Sequence, residues 1–138
     1  MIRAATRDDL SRLKRIREWL PEPTPRLLET ALTGLGFVFV STAEGRPVGY
    51  VLMLISDDAY IAELVVDSAH RREGRATELL KTAIETAEKR GCDHVSLTVH
   101  EENEAAQALY ESLGFELWRT ESDYYADGGT ALVFGKKY

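Results

Sequence analysis

Apolar residues along the chain recur with two spacings, and each change of spacing marks an element. Ile2 to Ala5 reads as a short strand, after which Thr6 can cap a helix whose Leu10, Leu13, Ile16 and Leu20 recur every three or four residues. Pro21, Pro23 and Pro25 end that helix, and Pro25, suited to a first helical position, opens a second one through Leu32 that Gly34 and Gly36 stop. Three β-branched and aromatic runs follow, Phe37 to Ser41, Pro47 to Ile55 and Tyr60 to Val66. Ala43-Glu44-Gly45-Arg46 and Ser56-Asp57-Asp58 serve as their hairpin loops.

The period then changes from 2 to 3.6. Ala76, Leu79, Leu80, Ala83, Ile84 and Ala87 form an apolar stripe, with Lys89 and Arg90 in the last turn and Gly91 as terminator. Val95, Leu97 and Val99 alternate with Ser96, Thr98 and His100 as a strand, and Ala106, Leu109, Tyr110 and Leu113 make another helix stripe, closed by Gly114. Phe115 to Thr120 and Thr130 to Lys136 read as two closing strands around an irregular Tyr124 to Gly129 segment. The order β-α-α-β-β-β-α-β-α-β-β predicts an α/β protein with a central mixed sheet and helices on both faces. Tyr60 to Val99 is its strand-helix-strand unit, expected to cross right-handed between two parallel strands.

Length and charge narrow this picture. The 138 residues, 44% of them apolar, predict one domain over 1–138 with an ordinary core and leave no room for a two-domain enzyme. Seventeen Lys+Arg against 23 Asp+Glu give 17 − 23 = −6, which argues against a nucleic-acid partner. The charge is uneven: residues 1–20 hold six basic and three acidic groups, whereas 101–127 hold eight acidic groups against Arg119 alone, so a cationic partner should meet the second region. Cys92 is the only cysteine, which excludes an intrachain disulfide and a cysteine-based zinc site, so no metal is expected. The N-terminal residues lack an apolar signal core. The longest apolar run, Tyr50 to Ile55, is far short of the ~20 residues of a membrane span. No membrane partner and a cytoplasmic location are therefore expected, and a homodimer is allowed.

The chemistry concentrates at the join of strand and helix, Leu64-Val65-Val66-Asp67-Ser68-Ala69-His70-Arg71-Arg72-Glu73-Gly74-Arg75-Ala76-Thr77. Three arginines within five residues, in an acidic chain, sit where a helix N-terminus presents unpaired N–H groups and partial positive charge, which is an anion site. Gly74 and Ala76 are small enough to let the backbone approach a phosphate, with the dipole and the arginines neutralising a pyrophosphate.

Arg71-x-x-Gly74-x-Ala76, after Leu64-Val65-Val66-Asp67, resembles the Q/R-x-x-G-x-G/A acetyl-CoA signature of the GNAT N-acetyltransferase superfamily. Downstream, Asn103-x-x-Ala106-x-x-Leu109-Tyr110-Glu111-Ser112-Leu113-Gly114-Phe115 resembles its second hallmark, and the opening Ile2-Arg3-Ala4-Ala5-Thr6 extends the likeness over essentially the whole chain. The later stretch, with Asp123-Tyr124-Tyr125 and Asp127-Gly128, is most similar to RimI-type enzymes, which acetylate protein N-terminal amines. The resemblance implies a mostly antiparallel sheet with one parallel strand pair at the cofactor site, and acetyl-CoA as cofactor. It implies that backbone groups of Leu64, Val65 and Val66 pair with the pantetheine arm. N–H groups from Arg72, Glu73, Gly74, Arg75, Ala76 and Thr77 hold the pyrophosphate, and Asn103 contacts the cofactor. A strand N–H, that of Val66 first, would stabilise the oxyanion.

The same resemblance makes Tyr110 the general acid, since a phenol of pKa about 10 stays protonated at pH 7 and can donate to the departing thiolate. The base is open, because Thr98 stands where RimI-type enzymes carry a glutamate. Glu63 is the first substitute, acting through a water, and His100 the second. Cys92, after Gly91 and without an activating base in view, is no nucleophile, so the amine attacks directly. The expected acceptor is a protein or peptide N-terminal α-amine. A small polyamine- or antibiotic-like amine is the alternative, and a non-catalytic acyl-CoA-binding module the rival of a different class.

Overall fold

The computed structural model describes residues 1–20 and 26–138, so the helix-ending role of Pro21, Pro23 and Pro25 lies outside the described residues. The alternating runs become strands β1 (Ile2–Ala4), β2 (Phe37–Ala43), β3 (Arg46–Ile55), β4 (Ala59–Val66), β5 (His94–His100), β6 (Glu116–Glu121) and β7 (Ala131–Lys137). They form one sheet in the order β1-β2-β3-β4-β5-β7-β6. Every neighbouring pair is antiparallel except β4 with β5, the parallel pair expected of a strand-helix-strand unit.

The 3.6-period stripes become α1 (Leu10–Arg17), α2 (Leu27–Thr30), α3 (Arg75–Lys89) and α4 (Glu104–Ser112). Leu79, Leu80, Ala83 and Ala87 of α3 and Tyr110 of α4 bury against Ile61, Val95, Leu97 and Phe134 on one face of the sheet. Leu13 and Ile16 of α1 and Leu28 of α2 bury against Val40, Tyr50, Leu52 and Val65 on the other. Among the described residues no helix is long and apolar enough to cross a membrane.

Three of the boundaries that differ from the sequence reading have a visible cause. The first helix stops at Arg17 instead of reaching Leu20, because the Trp19 and Leu20 amides bond three residues back, to Ile16 and Arg17, and tighten the end into a turn. The second ends at Thr30 and widens over Ala31–Leu35 into Gly34, whose φ of 102° only glycine adopts readily. The first hairpin is tighter than expected: Ala43 pairs with Arg46, leaving a two-residue turn with Glu44 (φ 52°) and Gly45 (φ 78°) both left-handed, which suits the twist of the strands.

One buried carboxylate fastens β1 to the start of α1. Asp9 accepts Arg3 Nη1 at 2.8 Å and Nη2 at 2.9 Å, and the Thr6 N–H at 2.8 Å. The Arg3 hydrogen bonds, helped by the Thr6 amide, hold its carboxyl below the usual carboxylate range. A depressed carboxylate stabilises the fold above its unfolded pKa, about 3.9, and the contribution is lost as pH falls through the lower folded value. Asp9→Ala should cost about 1.5–3 kcal/mol at pH 7 in a urea titration, a loss that shrinks on acidification below about pH 4. A constant difference between wild type and variant from pH 7 to pH 2 would contradict this.

Candidate active site

The site begins where β4 and β5 part. They pair at only three positions, Ala59 with Val95, Tyr60 with Ser96 and Ile61 with Leu97. On the other edge of β4 the register jumps from Met53–Ile61 to Leu52–Glu63, so Ala62 is the extra residue of a bulge. Past the bulge β4 follows β3 and β5 follows β7, which opens a wedge between them. The Asp67 N–H donates to Val48 O at 2.8 Å on the β3 side, and strand alternation therefore turns the amides of Leu64 and Val66 towards the wedge. Gly49 makes the β3 contact possible: a Cβ there would lie 2.9 Å from Val65 O.

Beyond Val66 the chain bends into α3. The Asp67 carboxylate accepts the Ala69 N–H at 2.9 Å in a turn over Ser68–His70, and Arg72 (φ 64°) and Gly74 (φ 76°) are both left-handed. The first helical bond runs from Glu78 N to Gly74 O at 3.1 Å, which leaves the amides of Arg75, Ala76 and Thr77 without a partner inside the helix. A Cβ on Gly74 would meet nothing within 4 Å. Glycine is needed there for its backbone conformation, and the space in front of the helix end is open.

The expectation that three arginines converge on an anion needs correction. Arg75 turns away, its Nη1 donating to Ser41 Oγ at 3.0 Å and Thr42 O at 3.1 Å, and its Nε to Glu73 at 3.0 Å. The cause is the break in β2–β3 register between Ser41 and Thr42, opposite Pro47, which leaves polar groups of β2 for a side chain to satisfy. Arg71 Nε donates to Val66 O at 3.0 Å while its guanidinium lies 5.5 Å from the centre of the Trp19 ring. Among the described residues Arg72, alone of the three, makes no such side-chain tie, and it is exposed.

A cavity of about 500 Å³ joins these parts. Of the residues expected to touch a cofactor, Leu64, Val65, Val66, Arg71, Arg72, Gly74, Arg75, Ala76, Thr77 and Asn103 line it; exposed Glu73 does not, being paired with Arg75. Asn103 caps α4, its side-chain oxygen accepting the Ala106 N–H at 3.1 Å. Tyr110 is on the same wall although only 9% exposed, its ring packed on Phe115 and Phe134. It is core and cavity at once. Burial pushes its phenol up to about 12. Trp19, Leu20, His70 and Leu109 also line the cavity and were not expected there. Trp19, 49% exposed at the end of α1, lies off the apolar stripe, and that was its only signal.

The two candidate bases sit outside this cavity. Glu63 is 5% exposed beneath α1 and α2, and accepts the Tyr50 hydroxyl at 2.8 Å. Burial, with the Glu63 charge beside it, pushes the Tyr50 phenol far up, so it remains a donor. His100 ends β5 and meets the β6–β7 segment. With Glu102 and Asp127 it offers ligand atoms within 4.8 Å of one another, the one such trio among the described residues, but both ring nitrogens are already hydrogen-bonded. Thr98, two residues earlier, accepts the Tyr60 hydroxyl at 3.0 Å, a diagonal contact from the paired part of β4 to the first residue of β5 beyond the pairing. Tyr60 and Thr98 line a second hollow, about 300 Å³, with Ser96, Trp118, Glu121 and Tyr124. Tyr60 was not expected at the site; only the Tyr60–Ser96 register shows that its hydroxyl can reach β5.

Comparison with known proteins gives a consistent picture. Residues 4–115 match the acetyltransferase (GNAT) family. N-alpha-acetyltransferase 30 of Xenopus laevis is 44% identical over 73 residues, 53% of this chain and 27% of that protein. The [ribosomal protein bS18]-alanine N-acetyltransferase of Escherichia coli is 35% identical over 88 residues, 63% of this chain and 60% of that one. The chain thus spans only part of the length of these relatives. A crystal structure of the ribosomal-protein-S18-alanine N-acetyltransferase from Escherichia coli superposes with a TM-score of 0.90 at 26% identity, covering 99% of this chain and 92% of that one. A NatC complex bound to Gag peptide and CoA superposes with a TM-score of 0.87 at 25% identity, covering 100% and 98%.

A phenol raised to about 12 should be silent in an ordinary alkaline titration. Followed by ultraviolet absorbance, wild type and Tyr110→Phe should gain the same tyrosinate signal up to about pH 11. An extra phenol titrating in the wild type near pH 10 would show that Tyr110 is not desolvated.

Proposed function

Because the chain belongs to the acetyltransferase (GNAT) family, we propose that it is an N-acetyltransferase using acetyl-CoA, with a protein or peptide N-terminal α-amine as acceptor. The observation that carries this is the cavity itself. It gathers free amides at a helix N-terminus, an unpaired strand edge and a proton-bearing phenol along one channel. The residues fit the group. Amides of Arg75, Ala76 and Thr77, with Arg72 beside them, suit a pyrophosphate. The wedge-facing amides of Leu64 and Val66 suit an amide-bearing arm, and Ala106 and Leu109 supply an apolar wall. Acetyl-CoA supplies an acyl thioester, which a neutral amine attacks directly. Tyr110 holds a proton on Oη at the pH of catalysis and donates it to the departing sulfur.

The acceptor enters from the other face, through the hollow at Tyr60, Thr98 and Tyr124, since both hollows border the same wedge. Glu121 on its wall is paired with Arg119 at 3.2 Å, so the pull on a cationic amine comes from the net acidic 101–127 stretch as a whole. Losing a proton at pH 7 costs an α-amine of pKa about 8 roughly 1.4 kcal/mol and a lysine of pKa about 10.4 roughly 4.6 kcal/mol. A site with threonine at position 98 therefore suits the α-amine, and buried Glu63 completes the proton path through a water. The acceptors named for the relatives, a ribosomal-protein alanine and a peptide bound with CoA, support the same class. A cytoplasmic place of action belongs to the same reading.

Calorimetry with coenzyme A tests the cavity: Gly74→Asp, which puts a carboxylate at the helix end, should weaken binding by about 100-fold or more, and unchanged affinity would end the assignment. Thiol release from acetyl-CoA over a panel of peptide N-termini and small amines tests the reaction. Tyr110→Phe should lower kcat by about 10²-fold without changing coenzyme affinity, and Glu63→Gln should flatten the rising limb of the pH–rate profile. Turnover only with small amines would move the acceptor class, and binding without turnover on any amine would leave a coenzyme-binding module.

A further inference from the structure

We propose that His100 is a positioning residue: it latches the β6–β7 segment onto the end of β5 and so fixes the wall of the hollow through which the acceptor enters. This rests on the acetyl-transfer reading above. His100 is the last residue of β5 and is paired with Ala131 of β7, so its backbone is fixed. Its Nδ1 accepts the Glu102 N–H at 3.0 Å, which makes Nε2 the protonated nitrogen of the neutral ring. Nε2 lies 2.9 Å from Asp127 Oδ2 and 3.2 Å from Oδ1, and donates to that carboxylate. Asp127 in turn accepts the Gly129 N–H at 2.7 Å.

Two further contacts show that the segment is shaped around this ring. A Cβ on Gly129 would collide with the imidazole, and Gly129 is not among the left-handed residues. Glycine is therefore required there by the approach of His100. The ring also stacks on Tyr125, with centroids 4.8 Å apart and planes 22° from parallel. Tyr125 meets Tyr124 edge-on at 5.0 Å, and Tyr124 lines the hollow with Tyr60 and Thr98. The Tyr124 N–H donates to Gly129 O at 3.0 Å, which closes the segment on itself. Contact thus runs from imidazole to Tyr125 to Tyr124 to the acceptor wall. The same geometry removes His100 as a base: both nitrogens are engaged, and it lines neither hollow.

The test is a set of steady-state profiles with the best peptide acceptor. His100→Ala, Asp127→Ala and Gly129→Ala should each raise the acceptor KM about tenfold and leave the acetyl-CoA KM and the rising limb of the pH–rate profile in place. His100→Gln, whose amide can still reach Asp127, should recover part of the loss. The His100→Ala/Asp127→Ala double variant should be no worse than either single one, as for two ends of one contact. An unchanged acceptor KM in His100→Ala overturns the latch. So does a fall in kcat with loss of the rising limb, which would make His100 the base. If the wild type transfers acetyl to no amine at all, the acetyl-transfer reading itself fails and takes this one with it, an outcome distinct from the other two.

Discussion

Two neighbouring strands that pair for three residues and then separate set the terms for the rest of the molecule. A sheet interior normally satisfies every backbone group, and an unpaired edge in its middle is costly unless something takes the place of the missing strand. The bulge at Ala62 is the local device. It gives β4 one residue more than β3, which bends the strand and carries Leu64 and Val66 away from β5. Gly49 lets β3 stay close to β4 through the bend, and the Arg71 side chain caps the Val66 carbonyl. What remains is a row of amides at the centre of an otherwise closed sheet, suited to a ligand whose own amides can act as a substitute strand.

The helix that follows adds charge selectivity without many free charges. In a chain of net charge −6, side-chain cations near the bend are drawn towards nearby acceptors, and two of the three arginines are taken in this way. Arg75 ties α3 to β2, which fixes the direction in which the helix end points. The attraction for an anion then rests chiefly on backbone amides and the helix dipole, which cannot rotate away or be neutralised by a neighbouring glutamate. Rigid placement is what the arginines contribute: Arg71 and Arg75 hold the frame in which the amides act.

The order of elements was readable because each has an unmixed period: Leu79, Leu80, Ala83 and Ala87 share one helical face, and Val95, Leu97 and Val99 share one strand face. The cavity wall was readable for a related reason. Gly74 and the residues after it form one continuous segment, so local sequence and local structure coincide there. Glu63 and Tyr60 show where this fails. Glu63, which alternation alone leaves free to face solvent, is buried because α1 and α2 cover that half of the sheet and Tyr50 from β3 meets it. The Tyr60–Thr98 contact depends on a parallel register that no local pattern carries. Arg75 was misjudged because its partners, Ser41 and Thr42, lie more than thirty residues away at a bulge.

Opening a sheet from one face alone would give a slot closed at its base, whereas parting two strands connects the faces. One hollow is lined by Leu64, Val66 and Tyr110, and the other by Tyr60, still within the paired stretch, and Thr98, one residue past it, whose hydroxyls are joined at 3.0 Å. A donor and an acceptor can then meet edge to edge without sharing a pocket, which lets each be recognised by its own elements: the bend and α3 for one, the β6–β7 segment for the other. Such a division lets the two entrances differ in electrostatic character although both halves of the chain are net negative. On the proposed reading, amides and a helix dipole face the anionic donor, and the net acidic later stretch lies on the side of the amine. It also limits what Thr98 has to do. On the proposed reading an α-amine, whose proton loss at pH 7 costs roughly 1.4 kcal/mol, asks less of position 98 than a lysine would, and there the Thr98 hydroxyl accepts from Tyr60 at 3.0 Å.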